Sequence, residues 1–179
     1  MGHNYTRVLS LMKGIKLVGV ADINIERGVE TATRYQVKFF EDYRDLLPHA
    51  DAVCIAVLTI LNHTVSVNCL RAGIHVLIEK LIAKSVSEAE SLIKSRCILL
   101  VGQTERFSPT FQELCKVLKT EELLALETRR MNLYTNRANY VSVILYLMIH
   151  DIDLLLEIAA ASVTKRFWEK DLGTPEFTI

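Results

Sequence analysis

The chain has 179 residues, of which 50% are hydrophobic, and its 21 basic and 21 acidic side chains give a net charge of zero. This apolar fraction is enough for a packed core, and the balanced charge excludes both a disordered chain and a protein that binds nucleic acid through its phosphates. The sequence shows neither an uninterrupted apolar run long enough to span a membrane nor a signal-peptide pattern at its first residues.

Short apolar segments alternate with helical segments as far as residue 101. This alternation predicts an α/β fold, a doubly wound, Rossmann-type parallel sheet with helices on both faces. Gly73 and Pro48 are predicted to end two of the helices, and Ser85 begins a sequence typical of a capping box. Strands are predicted at residues 16–22, 37–40, 52–57, 75–79 and 97–101, and helices at residues 3–12, 25–35, 43–47, 63–72 and 85–94.

The pattern changes after Gly102, and we place a domain boundary between residues 104 and 105. A second domain over residues 105–179 is the consequence. Its predicted elements are a helix at 109–119, an exposed strand at 126–134, a long helix at 141–161 and a strand at 162–168.

Asp22 follows the first predicted strand. In a dinucleotide-binding fold, an acid at the end of the second strand accepts hydrogen bonds from the adenosine ribose and disfavours a 2′-phosphate, so this position favours NAD over NADP. The alternative is that Asp22 caps the next helix, a role that Asn24 fits equally well.

The glycines do not form the loop that binds a pyrophosphate, because no two of them have G-x-G spacing. Gly2 lies where the third glycine of such a motif is expected, about twenty residues before Asp22. We therefore expect that the first strand and the glycine loop are missing from this chain. Either the sequence is a fragment, or the neighbouring strands pair directly, or another chain supplies the strand.

Glu79 and Lys80 end a predicted buried strand. Ligands of open α/β sheets bind at the carboxyl ends of strands, and a lysine there can reach a substrate hydroxyl. The alternative is a solvated charge pair at the end of a strand.

Tyr146, His150 and Asp153 lie within the apolar segment at 141–161, at spacings that place them on one helical face. Polar groups in such a segment need partners, so they form a network or face a cleft, and a histidine there can exchange protons near neutral pH. The alternative is a hydrogen-bonded core histidine. The spacings of His63, His75, His150 and Asp151 match no standard metal pattern, so no metal site is predicted.

Taken in order, these segments resemble the Gfo/Idh/MocA family of NAD(P)-dependent oxidoreductases, which act mainly on sugars, sugar nucleotides and cyclitols. The resemblance implies a dinucleotide-binding domain over 1–104 and part of an α+β domain with an open sheet, for substrate binding or oligomerisation, over 105–179. The segments that carry it are VGVAD at 18–22, DY at 42–43, DAVCIA at 51–56, AGIHVLIEK at 72–80, ERFSP at 105–109 and HDID at 150–153.

The resemblance also implies roles for individual residues, with NAD as the cofactor and NADP as an alternative. Lys80 would bind the reacting hydroxyl and His150 would be the general acid/base. The cofactor would contact Gly2, Asp22, Thr59, His63 and Glu79, and a sugar-type substrate would contact Arg106, Tyr146 and Asp151.

Leu81 stands where the family has proline, and Tyr146 stands where it has aspartate. We therefore hold three hypotheses: a sugar dehydrogenase, a non-catalytic relative that binds a sugar or nucleotide, and a chain that serves mainly for homo-oligomer contacts. The four cysteines form no C-x-x-C pair, so we expect free thiols and a cytoplasmic protein that binds neither nucleic acid nor membrane.

Overall fold

The computed structural model describes residues 1–120, 123, 125–129 and 148–159, and the backbone of two short strands at 169–170 and 177–178. The chain divides into two compact units, Met1–Gly102 and Gln103–Ile179. No helix within the described residues is long and apolar enough to cross a membrane.

The first unit alternates helices and strands as the sequence predicts. A 3₁₀ turn, Leu47–His49, interrupts the alternation. Pro48 lies within this turn, whereas the sequence predicted that the helical segment ends before it. The elements are α1 Gly2–Leu11, β1 Gly19–Ala21, α2 Ile25–Tyr35, β2 Lys38–Phe40, α3 Tyr43–Leu46, β3 Ala52–Ile55, α4 Thr59–Arg71, β4 His75–Ile78, α5 Val86–Ile93 and β5 Leu99–Val101.

All strand pairs of the first unit are parallel. The β1 and β2 strands pair from Gly19 with Lys38 onward, while β4 lies between β3 and β5 in a three-stranded sheet. Within the described residues β1 pairs only with β2 and β3 only with β4. The alternative that β1 and β3 pair directly with each other is therefore wrong for this structure.

The core of the first unit lies between the three-stranded sheet and helices α4 and α5. Ile78 at the end of β4 and Leu92 of α5 are almost completely inaccessible to solvent, and Val76 is nearly so. Removing this apolar surface from water is the main force that holds the helices to the sheet. The buried cluster consists of Leu47, Ile55, Cys69, Leu70, Ile74, Val76, Ile78 and Leu92.

Local signals in the sequence set the helix ends. Asn24 caps α2 by accepting from the Arg27 amide, and Ser85 caps α5 by accepting from the Glu88 amide at 3.2 Å. Gly73 follows α4 with a φ of +80°, a conformation that glycine adopts without steric cost. Helix α4 begins at Thr59, earlier than the predicted start at His63, because the segment from 59 to 62 lacks any proline or glycine to delay it.

The second unit is described in part. Its described elements are a 3₁₀ turn Thr104–Phe107, α6 Pro109–Val117, α7 Ile149–Ala159 and the antiparallel pair β6 Glu169–Lys170 with β7 Phe177–Thr178. Of the strand predicted at 126–134, residues 126–129 form no regular element. There Glu127 and Arg129 pair with each other at 2.7 Å and are largely exposed. No strand within the described residues pairs with this segment, and alternation alone does not make a strand. The strand predicted at 162–168 and the first part of the predicted long helix lie outside the described residues.

Candidate functional site

Asp22 follows β1 and is held by a single arginine. The Arg27 guanidinium donates to both Asp22 carboxylate oxygens at 2.7 Å, and the Asn24 amide adds a third bond at 2.9 Å. Since Asn24 caps α2, Asp22 has no capping role on that helix. The bonds from Arg27 are the largest cause of a lowered Asp22 pKa, so this carboxylate is charged throughout the physiological range. Asp22 thus already accepts hydrogen bonds from Arg27 of α2, the helix that follows it.

The carboxyl edge of the three-stranded sheet gathers several predicted site residues. The β3 strand leads to the half-buried Thr59 at the start of α4, and β4 leads directly into Glu79 and Lys80, which are also half-buried. The Glu79 amide donates to the Ile55 carbonyl at 2.9 Å, which extends the pairing of β3 and β4 to this point. Lys80 therefore lies where parallel sheets bind their ligands.

Tyr5 of α1 reaches Glu79 from a distance of 74 residues in sequence, and its hydroxyl donates to a carboxylate oxygen at 2.7 Å. Burial, and then the bond to Glu79, raise the Tyr5 pKa far above its ordinary value, so the hydroxyl remains a donor. Gly102 leaves the space for this contact, because a Cβ there would lie 3.1 Å from the Tyr5 oxygen.

Asn62 of α4 holds the turn that carries Lys80. Its side chain is 1% exposed, and its amide nitrogen donates to the Glu79 carbonyl at 3.3 Å and to the Leu81 carbonyl at 2.6 Å. The Lys80–Leu81 peptide bond is cis. Asn62 thus bonds the residues on both sides of Lys80.

The first turn of α1 lies beside the end of β3. A Cβ at Gly2 would be 3.9 Å from the Cβ of Ala56, the residue after β3. Among the described residues this turn has no acidic side chain and no side-chain cap. Its first N–H groups are therefore suited to an anion.

His63 lies in α4 and its ring nitrogen is 2.8 Å from the Ser91 hydroxyl of α5. Both line a surface cavity of about 500 Å³ between the two helices, together with Arg71 and Lys94. Arg71 is the last residue of α4 and Lys94 directly follows α5, where cations are stabilised by the helix dipole. The predicted cofactor contact of His63 stays a prediction, and the contact that the structure provides is with Ser91.

In the second unit Arg106 binds acids of α7. Its guanidinium donates to both oxygens of Asp153, at 2.6 and 2.5 Å, and also to Glu157. Asp153 is the largest cause of a raised Arg106 pKa. The positive charge predicted to bind substrate is thus matched by two carboxylates, and Asp153 has Arg106 as a partner.

His150 is half-buried and Asp151 buried, both in the first turn of α7. Tyr146 lies outside the described residues, so the network predicted around it is not described. Lys80 belongs to the first unit and His150 to the second, and their common role stays a prediction.

Comparison with known proteins identifies the fold of the first unit. A family model described as "Oxidoreductase family, NAD-binding Rossmann fold", named GFO_IDH_MocA, matches residues 1–96. The chain belongs to this family. The predicted family, its Rossmann-type fold and NAD as the cofactor of the fold are confirmed.

Individual relatives cover part of their own length. UDP-N-acetylglucosamine 3-dehydrogenase of Acidithiobacillus ferrooxidans is 33% identical over 150 residues, which is 82% of this chain and 48% of that protein. Inositol 2-dehydrogenase 1 of Saccharopolyspora erythraea is 29% identical over 66% of this chain and 38% of that protein. The chain thus spans about half, or less, of the length of these curated relatives.

Solved structures agree with the fold. A crystal form of the Acidithiobacillus dehydrogenase superposes with a TM-score of 0.85 and 30% identity over 92% of this chain and 55% of that one. Myo-inositol dehydrogenase of Lactobacillus casei, solved with NAD(H) and myo-inositol, has a TM-score of 0.73 at 21% identity over 88% of this chain and 51% of that one. At that identity it shows the fold alone.

Three residues of the site had no signal in the sequence. Tyr5, Arg27 and Asn62 all act on predicted site residues or their turn. Even Arg27, five residues after Asp22, lies outside the spacing of three or four residues at which side chains pair along a helix, so helical spacing did not suggest this pair. The other two depend on the packing of α1 and α4 against β4.

Proposed function

We propose that the chain belongs to an NAD(P)-dependent oxidoreductase that acts on a hydroxyl of a sugar, sugar nucleotide or cyclitol by hydride transfer. The observation that carries the proposal is Lys80 at the carboxyl end of β4 in an NAD-binding Rossmann domain. The relatives are named for their activities on UDP-N-acetylglucosamine and inositol, and these activities support the substrate class.

The described residues suit a dinucleotide. The uncapped first turn of α1 offers N–H groups to a pyrophosphate, and Asp22 offers carboxylate oxygens to ribose hydroxyls. Exposed apolar side chains follow two of the strands, Ile23 after β1 and Leu58 after β3, and they can pack against aromatic rings. When NAD is bound, its nicotinamide ring supplies the hydride acceptor.

In this proposal Lys80 and His150 are the catalytic groups that the protein supplies. The Lys80 ammonium donates to the substrate hydroxyl and orients it. His150 takes the hydroxyl proton during oxidation and returns it in the reverse direction. Thr59 and Glu79 line the cofactor side, while Asp151 lies beside His150 on the substrate side.

A non-catalytic sugar- or nucleotide-binding relative is the second candidate, and Leu81 favours it. Proline would preset the φ of the residue after Lys80, and leucine does not. Restoring proline at 81 raises turnover if only the catalytic geometry has weakened, and leaves a binding protein inactive.

Titration with NADH, followed by nicotinamide fluorescence, tests cofactor binding by the chain. Asp22→Ala should weaken binding by about tenfold, the loss of a hydrogen bond to a charged group. Asp42→Ala is the matched control, because Asp42 also follows a strand and also pairs with an arginine, Arg44. Equal effects of the two substitutions contradict the ribose role.

Reduction of NAD with a panel of UDP-sugars and cyclitols tests catalysis. We expect Lys80→Ala to abolish turnover and the exposed Lys84→Ala to leave it unchanged. Unchanged turnover in Lys80→Ala would show that Lys80 has no catalytic role.

The assembly and location of the protein are also proposals. We propose a homo-oligomer in the cytoplasm, with its thiols free. All four cysteines are free in the described residues, and burial raises the pKa of Cys69 to about 11 and raises that of Cys54. Thiols of this kind are poorly reactive.

A further inference from the structure

The turn after β4 is held from outside by one buried amide. Asn62 is 1% exposed, and both of its described hydrogen bonds go to main-chain carbonyls that flank Lys80. A carbonyl left without a donor in such a place costs about 1–3 kcal/mol. The side chain therefore matters to the shape of this turn and to the direction in which Lys80 leaves it.

The orientation of the amide follows from its partners. Two carbonyl oxygens face the nitrogen, so the reversed amide would place an oxygen against them. The other end, Oδ1, is buried and has no hydrogen-bond partner within the described residues. The position thus requires a group that donates two hydrogen bonds. The asparagine amide does this, and an aspartate carboxylate does not.

We propose that Asn62 is a positioning residue for Lys80, and that it replaces from α4 the restraint that a proline at 81 would supply from within the turn. Leucine at 81 has no ring that fixes its φ angle. Its carbonyl accepts the shorter of the two Asn62 hydrogen bonds, at 2.6 Å. The Asn62 amide thereby restrains Leu81, whose side chain, unlike that of proline, does not fix φ. The catalytic meaning of this placement depends on the proposed function, but the placement itself can be measured separately.

The experiment compares Asn62→Asp with Asn68→Asp in the whole chain. Asn68 lies on the same helix, is half-buried and donates to the Tyr43 hydroxyl at 2.7 Å. The same change there alters a bond that does not involve the Lys80 turn, because the Tyr43 hydroxyl can donate to the new carboxylate. The readout is the rate at which an amine-reactive acylating reagent labels Lys80, measured by peptide mass spectrometry. Urea unfolding reports the global stability of each variant.

We expect Asn62→Asp to increase the rate of Lys80 labelling by about fivefold, the factor that corresponds to the loss of one hydrogen bond. Asn68→Asp should leave the rate unchanged. A rate that changes equally in both variants, or in neither, overturns the proposal. NADH titration of the unsubstituted chain is run in parallel. Absent NADH binding counts against the proposed function only, because the labelling rate still decides the role of Asn62.

A rescue variant separates positioning from a general role in the core. Asn62→Ala is prepared with and without Leu81→Pro, a change that removes no described backbone hydrogen bond. We expect proline at 81 to return the labelling rate to within about twofold of the unsubstituted chain, because its ring restrains the same turn. If Asn62→Ala is equally fast in both backgrounds, or folds in neither, Asn62 is a core residue without a positioning role.

Discussion

At the residue scale, Asp22 shows how one local contact changes the meaning of a motif. The sequence left two roles for it, a ribose acceptor and a helix cap. Asn24 takes the cap, and Arg27 takes both carboxylate oxygens. A ribose must therefore share Asp22 with Arg27 or displace it. The same guanidinium could also meet a 2′-phosphate, so Arg27 bears on the choice between NAD and NADP.

Arg27→Ala should raise the Asp22 pKa toward its ordinary value, because the Arg27 bonds are the largest cause of its lowering. The folded-state pKa of Asp22 lies below the unfolded value, so the pair stabilises the fold above the unfolded pKa, about 3.9. That stability is lost as the pH falls through the folded pKa. The variant should consequently lose less stability between neutral pH and that acidic range.

Carboxyl-carbon NMR of Asp22 and acid-side unfolding curves measure both effects. Arg44→Ala is the control, because it should raise the Asp42 pKa and leave Asp22 unchanged. An unchanged Asp22 pKa in Arg27→Ala would contradict the described pairing.

Tyr5 gives a second prediction at this scale. Tyr5→Phe removes the donor to Glu79, and the free energy of unfolding should fall by about 1–3 kcal/mol, as for a hydrogen bond to a charged group. Tyr35→Phe removes the hydroxyl of another half-buried tyrosine, one without a described hydrogen bond, and should change stability by less than about 0.5 kcal/mol. Urea unfolding of both variants decides, and equal losses would show that the bond to Glu79 adds nothing.

At the scale of the element, local signals predicted what was local. Helix α2 has the bounds that the sequence predicted, and Ser85 and Gly73 act at the helix ends as predicted. The contacts of His63 with Ser91 and of Asn62 with Leu81 were not predicted. They join residues 28 and 19 positions apart, and no periodicity within one helix encodes which neighbour its polar side chain will meet.

Arg106 links two elements of the second unit, the 3₁₀ turn and α7. Arg106→Gln should lower the free energy of unfolding by roughly 1–3 kcal/mol, between the values for exposed and buried pairs, because the Asp153 side chain is only 12% exposed. Lys116→Gln breaks the exposed pair with Glu113 and should cost less than about 0.5 kcal/mol.

Thermal unfolding measures the two variants side by side. Equal shifts in Tm would mean that the Arg106 ion pairs do not stabilise the second unit. The predicted contact of Arg106 with substrate would then be favoured. A larger shift in Tm for Arg106→Gln would instead show that Arg106 stabilises the packing of α7.

At the scale of the whole molecule, composition and alternation predicted the α/β class, and the family comparison confirmed it. The arrangement of the strands was less accessible. Two parallel sheets, one of two strands and one of three, stand where a single sheet is usual in this fold. Strand pairing is a long-range property, and strands as short as β1 carry too few residues to specify their neighbours by pattern alone.

The core around β4 carries the stability of the first unit, and two neighbouring residues test this. Leu92 is 1% exposed and packs in the core cluster, whereas the next residue, Ile93, is 68% exposed. Leu92→Ala should lower the free energy of unfolding by about 2–5 kcal/mol, because it removes buried methyl groups and leaves a cavity. Ile93→Ala, on the same helix, should cost less than about 1 kcal/mol. Urea unfolding of the whole chain measures both, and similar losses would mean that α5 does not pack on the sheet through the face described.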